Sequence, residues 1–397
     1  MSVRWSIVLT QIEGSRAVAL TVARCRPEVV CAYPISPQTH IIEALGVLVR
    51  TGELAPCEFI NVESEFAALS VCIGASATGS RAYTATASQG LLYMMEAVYN
   101  ASGLELPIVM TLANRAIGAP INIWNDHSDI MYQRDTGWIS LFAANGQETV
   151  DMVIQAFKIG EHRDVMLPVN INIDGFQLTH VVEPIFMPDQ EEVDRFLPPY
   201  KPYAQLHPDK PMSMGALGLP EIFNEAMRAK DEAILQSKKV VLGVWKEWEK
   251  QFGRKYEPIE SYKTEGAETL LLTMGSMGET AEIAIDELRK DGLPVGLLKI
   301  KLWRPFPFEE LRKAVKGAKA LAVMDRAVSF GGPGGPVFAE IRSALYDEPK
   351  KPRTLNFIIG LGGRDVVVED FIKMAKKTAS TKKLKPEDAY EIYGARE

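Results

Sequence analysis

The segment "AYPISPQT" holds one hydroxyl, Ser36, between Pro34 and Pro37. Proline fixes its own φ and pushes the residue before it toward extended geometry, so Ser36 sits in a stiffened turn. A hydroxyl held in this way suits hydrogen bonding to a small ligand. In "NVESEFAAL" two carboxylates, Glu63 and Glu65, flank Ser64. Carboxylates so placed serve general acid–base chemistry. The same pattern also reads as an ordinary helix start, with serine as N-cap and glutamate facing the helix dipole. "TATASQG" gathers Thr86, Ser88 and Gln89 ahead of Gly90. Short hydroxyls and an amide orient a carbonyl or a phosphate, although a capped helix start with a glycine turn explains them equally. "LANRAIGAP" closes an apolar run with Arg115, whose planar fork binds a carboxylate bidentately unless its tip merely reaches solvent. The loop beyond it carries Asp126, His127 and Asp129. These are metal-ligand types, but no second histidine stands near in sequence, and no metal is expected there. His127 alone is a candidate general acid or base.

Glycine clusters mark the second half: "GSMG" at 275–278, "SFGGPGGPVFAEI" at 329–341 and "GLGGRDVVVEDF" at 360–371, with Arg304 in "LWRPFPF" and Arg364 in the last cluster. Glycine before a helix usually serves turn geometry. Together these turns are also candidates for anion-binding backbone concavities.

Alternating elements must position these residues. Segments 28–33, 58–62, 81–86, 106–113 and 165–173 read as buried strands, and 40–50, 65–79, 90–102 and 147–161 as helices. Strand–helix alternation with uninterrupted apolar strands predicts an α/β fold, a parallel sheet with helices on both faces. Sites in such sheets gather at the carboxyl ends of the strands, where Ser36 follows the first run. Residues 182–222 carry eight prolines and read as an extended arm without regular structure, followed by a charged helix near 220–251. Alternation resumes near 268 and predicts a second, smaller α/β domain. The expected boundaries are 1–181, 182–265 for arm and linker, 266–372 and a basic tail at 373–397, whose lysines (Lys376, Lys377, Lys382, Lys383, Lys385) read as solvated surface.

The chain has 397 residues, 47% hydrophobic and 24% charged, with net charge −7. This composition argues against nucleic acid as a partner. No apolar run is long enough for a membrane span and no leader-like segment is evident, so a cytoplasmic protein is expected. The four cysteines, Cys25, Cys31, Cys57 and Cys72, lack CxxC spacing. They read as small buried side chains rather than a disulfide or iron–sulfur framework.

Taken together, "AYPISPQTHIIEAL", "NVESEFAALSVCIGASATGSRAYTATASQGL", "LPIVMTLANRAIGAPINIWNDHSD" and "GLGGRD" resemble the α subunit of the 2-oxoacid:ferredoxin oxidoreductases, the pyruvate:ferredoxin oxidoreductases or pyruvate synthases among them. The similarity runs from about residue 10 to 370 and includes "LWRPFPF". The resemblance implies a pyrimidine-type thiamine diphosphate domain followed by a transketolase C-terminal-like domain. It implies a β subunit that completes the thiamine diphosphate site with Mg2+. It also implies δ-type iron–sulfur and γ-type subunits, 4Fe-4S clusters on those partner chains, CoA and a 2-oxoacid as substrates, and ferredoxin or NAD as acceptor. Consistent with that division, the chain has no GDG…N thiamine signature. By the same resemblance Glu65, not Glu63, is the carboxyl that hydrogen-bonds the cofactor's pyrimidine ring and promotes its activation. Arg115 and Ser36 meet the substrate. The polar rim of Thr86, Ser88 and Gln89, read from the residues themselves, is then assigned to the cofactor. The family's pyruvate enzymes carry threonine where this chain has Ser36. The missing methyl leaves room for a bulkier aryl 2-oxoacid such as phenylglyoxylate. A non-redox thiamine decarboxylase subunit and a non-catalytic assembly subunit are the competing functional readings.

Overall fold

The computed structural model describes residues 8–383 and 390–396. The first half runs β1 (Val8–Glu13), α1 (Gly14–Arg24), β2 (Val29–Cys31), α2 (Thr39–Thr51), β3 (Glu58–Ile60), α3 (Glu65–Ala77), β4 (Ala82–Thr86), α4 (Ser88–Tyr93), α5 (Met95–Gly103), β5 (Val109–Asn114), α6 (Ser128–Gln133), β6 (Ile139–Phe142), α7 (Gly146–Gly160), β7 (Val169–Asp174), β8 (Val182–Met187), α8 (Gln190–Phe196) and α9 (Pro220–Phe252). The second half continues with β9 (Ile259–Tyr262), β10 (Thr269–Met274), α10 (Met277–Lys290), β11 (Val295–Ile300), β12 (Leu302–Arg304), α11 (Phe308–Ala314), β13 (Ala320–Asp325), α12 (Pro336–Leu345), β14 (Arg353–Ile358), α13 (Val368–Ser380) and β15 (Glu391–Ile392).

The larger sheet has seven strands in the order β12-β6-β7-β5-β4-β2-β3, all parallel except β12. Every residue of β4, β5 and β7 is buried, polar Thr84, Thr111, Asn170 and Asn172 included, as expected of a parallel sheet covered on both faces. From β2 the chain crosses through α2 to β3 on one side, whereas β4 leads through α4 and α5 to β5 on the other. The connections therefore diverge between β2 and β4, and a crevice opens at their carboxyl ends. The second sheet, β15-β14-β13-β10-β11-β9, is parallel apart from β9.

The sequence-based boundaries differ from this structure in three places. The proline-rich stretch is not free of regular structure: β8 pairs antiparallel with β1, and α8 follows with a capping box at Asp189 and Glu192. Pro184 is tolerated because this ribbon is only two strands wide, so it has an open edge. The second half is not separate from the first, because β12 adds to the edge of the larger sheet beside β6. One apolar cluster also runs from Leu69, Cys72 and Met94 through Trp303 to Leu298 and Val323. The tail expected from 373 is partly core: α13 continues to Ser380 with Phe371, Met374 and Ala375 buried, and β15 pairs with β14. Lys385 of that tail lies outside the described residues.

Helix α9 has 33 residues and two unlike halves. Val241, Val244, Trp245, Trp248 and Phe252 bury one helical stripe, and Trp248 donates to Asp151 on α7 at 3.1 Å. Ile222, Phe223 and Met227 near its start stay exposed. A cavity of about 840 Å³ lies beside that projecting half, lined by Tyr99, Trp138, Phe223, Arg304 and Phe306. It contains none of the candidate site residues. Among the described residues no helix is long and apolar enough to cross a membrane.

Candidate active site

The candidates stand on four neighbouring strands. Glu65 follows β3, Ser36 follows β2, Thr86, Ser88 and Gln89 close β4, and Arg115 follows β5. They line the carboxyl edge on both sides of the crevice.

Ser64 is the N-cap of α3, its hydroxyl accepting from Ala67 N at 3.2 Å. Glu65 is thus the first helical residue, and the two glutamates part company: Glu63 is exposed, Glu65 only 8% exposed. Gly90 makes room for it. A Cβ at residue 90 would stand 2.5 Å from Thr86 Oγ1 and 2.6 Å from Glu65 Oε1. No hydrogen bond reaches the Glu65 carboxylate among the described residues, and the buried Thr86 Oγ1 has no partner. A buried carboxyl and an orphaned hydroxyl over one glycine make a polar cradle, and buried polar atoms in native proteins are rarely left unpaired. The cradle fits a flat nitrogen heterocycle that brings its own donor and acceptor.

Arg115 lies across the mouth. Its Nε donates to Asn122 O at 3.0 Å and Nη1 to Ser36 O at 2.9 Å; Nη2 has no partner among the described residues. Burial pulls the guanidinium below its ordinary value, and the charges of Asp129 and Glu65 oppose that pull. Arg115 therefore holds the Ser36 turn by its backbone carbonyl and leaves the exposed Ser36 hydroxyl free. The turn has a second anchor that sequence reasoning missed. Gln38, fully buried, donates through Nε2 to Tyr33 O at 3.2 Å and across the crevice to Ala85 O at 2.6 Å. Nothing local in "SPQTH" signals this, because the partner strand lies far along the chain.

Ser88 departs from its expected role. Its hydroxyl donates to Ala116 O at 2.5 Å and lies against the Gln89 side-chain amide, so it fixes the rim instead of facing a ligand. Its φ of 47° is the left-handed geometry that non-glycine residues adopt at a cost. Asp129 supports that conformation. The buried carboxylate accepts from Ser88 N and Arg115 N at 3.0 Å each, Asn114 Nδ2 at 3.0 Å and Ile130 N at 2.8 Å. One side chain thus clamps the ends of β4 and β5. Burial nonetheless pushes its carboxyl up to about 6, with the four donors opposing.

A raised carboxyl favours the folded state below its unfolded value and loses that advantage as pH rises through the folded one. Asp129→Asn removes the titration and turns an NH2 toward two N–H donors. The stability gap between the native chain and this variant should therefore narrow by up to about 3 kcal/mol between pH 4 and 7. Denaturant midpoints across that range test this; a gap independent of pH would refute it.

Asp126, His127 and Asp129 turn to different partners. Asp126 accepts from Ser128 N and Gly362 N, His127 Nε2 meets Asp174 Oδ1 at 2.7 Å, and Asp129 faces the strand ends. His127 is buried at the seam between the sheets instead of facing the crevice. There Asp174 also accepts from Ser276 N at 2.8 Å and Arg326 Nη1 at 3.1 Å. Burial opposes ionisation of Asp174, but His127, Arg326 and Ser276 outweigh it and hold the carboxyl well below the usual range.

The glycine clusters serve the same seam. Gly362 N donates to Asp126, Gly363 N to Asn125 O at 2.7 Å, and Asn122 Nδ2 reaches Gly362 O at 3.0 Å. At Gly362 (φ 57°) and Gly363 (φ 79°) a Cβ would meet Asn122 at 2.5 Å and Trp124 at 2.4 Å. The start of α12 is filled by Asp325, which accepts from Val337 N and Phe338 N. Arg304 forks onto Glu340 at 2.8 and 2.9 Å. The N–H groups of Gly278, Gly332, Gly335, Val337, Phe338, Gly362 and Gly363 in these clusters are already paired within the chain.

A doubly covered parallel sheet with its site on the carboxyl edge, joined to a second α/β sheet, is the architecture of the thiamine-diphosphate-binding enzymes. Two solved structures carry that likeness of fold. A 2-oxoglutarate:ferredoxin oxidoreductase from Magnetococcus marinus matches with TM-score 0.70 at 19% identity, over 93% of this chain but only 65% of its own, less than two thirds of its length. A split-gene transketolase matches with TM-score 0.56 at 13% identity. Residues 21–246 match the family described as pyruvate flavodoxin/ferredoxin oxidoreductase, thiamine diP-binding, and residues 267–371 the pyruvate:ferredoxin oxidoreductase core domain II. The chain belongs to this family of 2-oxoacid:ferredoxin oxidoreductases, in its α-subunit branch. It is 43% identical to the pyruvate synthase subunit PorA of Methanosarcina barkeri, over 94% of this chain and 93% of that one. It is 46% identical to the PorA of Methanocaldococcus jannaschii, over 90% and 92%. The ketoisovalerate oxidoreductase subunit VorA of Pyrococcus abyssi is 42% identical over 92% of each chain.

Proposed function

We propose that this chain is the α subunit of a multi-chain, CoA-dependent oxidoreductase that decarboxylates a 2-oxoacid, pyruvate foremost. The product is acyl-CoA, and the electron pair leaves through iron–sulfur clusters on other chains to ferredoxin or NAD. The observation that carries this reading is the buried Glu65 carboxyl set over Gly90 beside the unpartnered Thr86 hydroxyl. Thiamine diphosphate, shared with a β subunit that holds its diphosphate and Mg2+, would supply the carbon nucleophile that attacks the keto group.

This chain's residues supply the surroundings. Glu65 Oε1 shares a proton with the pyrimidine ring nitrogen, Thr86 Oγ1 hydrogen-bonds the ring edge, and the Gln89 amide closes the rim. Arg115 Nη2 and the Ser36 hydroxyl receive the substrate carboxylate. The Gln38 and Asp129 anchors hold these donors still, so that little entropy is lost on binding. Ser88 positions Gln89 and does not itself touch the ring. The printed names of the relatives favour pyruvate, with a branched 2-oxoacid next. The threonine-to-serine difference at Ser36 is what supports a bulkier acid such as phenylglyoxylate.

Purifying the complex and assaying pyruvate, 2-oxoisovalerate and phenylglyoxylate with CoA and an artificial electron acceptor tests the proposal. CoA-dependent turnover, fastest with pyruvate, is expected. Decarboxylation that needs no acceptor would point to the non-redox reading instead. Ser36→Thr should lower kcat/KM for phenylglyoxylate relative to pyruvate about tenfold, the scale of one methyl in a pocket; an unchanged ratio removes Ser36 from size selection.

A further inference from the structure

Outside this site, three side chains of metal-binding type converge from separate elements. Glu13 closes β1 and caps α1, His40 is the second residue of α2, and His180 lies in the loop between β7 and β8. One ring nitrogen from each histidine and one Glu13 carboxylate oxygen lie within 4.8 Å of one another. His40 Nδ1 is 2.6 Å from Glu13 Oε1, and the two imidazole rings lie with centroids 4.6 Å apart and planes tilted by 37°. Two imidazoles this close repel if both are protonated, whereas a shared cation uses a lone pair of each.

From this geometry we propose that Glu13, His40 and His180 form a binding site for a divalent transition-metal ion, zinc being the best match. Two imidazoles and one carboxylate make a borderline donor set, and three protein ligands with a water complete a tetrahedron. The remaining features agree. His180 is half-buried. Its Nδ1 lies 2.6 Å from Thr179 Oγ1, a contact that orients the ring as outer-shell partners of metal ligands do. The His40 side chain is 47% exposed and that of Glu13 19%, so an ion has an open path. The competitor is Arg16, whose Nε stands 3.7 Å from Glu13 Oε2 and must give way.

The site borders the substrate turn. His40 lies four residues beyond Ser36, and the ring series His40, His180, Phe176, Trp124 leads to the loop that holds Arg115. A bound ion would tie the β1–α1 junction, the start of α2 and that loop together without entering the chemistry.

The test uses the assembled complex, equilibrated with micromolar zinc chloride, desalted and analysed for zinc by mass spectrometry. The native complex should retain one zinc per copy of this chain beyond that retained by the His40→Ala/His180→Ala variant. Glu13→Gln should weaken retention at least tenfold, and Arg16→Ala should strengthen it. An anomalous diffraction peak at the zinc edge should fall among the three side chains. Equal zinc in the native and doubly substituted complexes, or a peak elsewhere, would overturn the proposal. Melting curves of the metal-free native and variant complexes separate loss of the site from loss of the fold.

Discussion

Glu65→Ala, introduced into the assembled enzyme, should lower kcat by about 10²–10⁴-fold, the range assigned to a positioned acid or base. The complex should elute unchanged on size exclusion, because α3 keeps its Ser64 cap and the apolar side of the helix is untouched. Glu65→Gln is the sharper variant. Its amide still hydrogen-bonds a ring nitrogen but cannot pass a proton, so cofactor retention should survive while turnover falls. A deficit below about threefold would mean that another group does this work, and the assembly-subunit reading would then gain ground. Gly90 offers an independent check from the opposite wall: a methyl at 90 meets Glu65 Oε1 and Thr86 Oγ1 well inside contact distance.

Arg115→Ala should act mainly on KM. On the proposed reading Nη2, unpartnered among the described residues, receives the substrate carboxylate, and a hydrogen bond to a charged group is worth roughly 1.5–3 kcal/mol. KM for the 2-oxoacid should therefore rise roughly 10- to 100-fold, with a smaller fall in kcat. Some of that fall follows from the Ser36 and Asn122 carbonyls, which lose their donor and let the turn drift. Arg115→Lys should lie between the two, since an ammonium keeps the charge but not the fork that spans both carbonyls. Steady-state kinetics on the three proteins decides; an unmoved KM in Arg115→Ala would place the carboxylate elsewhere.

Much of this site was legible because its signals are local. The strand ends before Ser36, Glu65, Thr86 and Arg115 could be read from apolar runs broken by proline or short polar residues. The choice of Glu65 over Glu63 came from the family resemblance, and it is the fold that buries one carboxyl and exposes the other. The residues that brace the site were not legible, for the opposite reason. Gln38 and Asp129 act on strands distant in sequence, and a buried amide or carboxylate bonded to backbone leaves no pattern around itself. Asp129 was noticed, but as a metal-ligand type. Its true surroundings, four N–H donors from four different residues, exist only after β4 and β5 align. Strand β8 was hidden by its prolines and β12 by its brevity, each being paired with residues at the far end of its half or beyond.

The pairing of β12 with β6 has a consequence for how the polypeptide is made. When the first 300 residues have left the ribosome, the larger sheet still ends in an uncovered β6, and the apolar layer around Trp138 still waits for Trp303 and Phe306. A bare strand edge is a template for association with other chains. The nascent chain therefore carries a sticky margin until its later portion arrives to seal it, and truncated versions that stop before Leu302 should be the ones that precipitate.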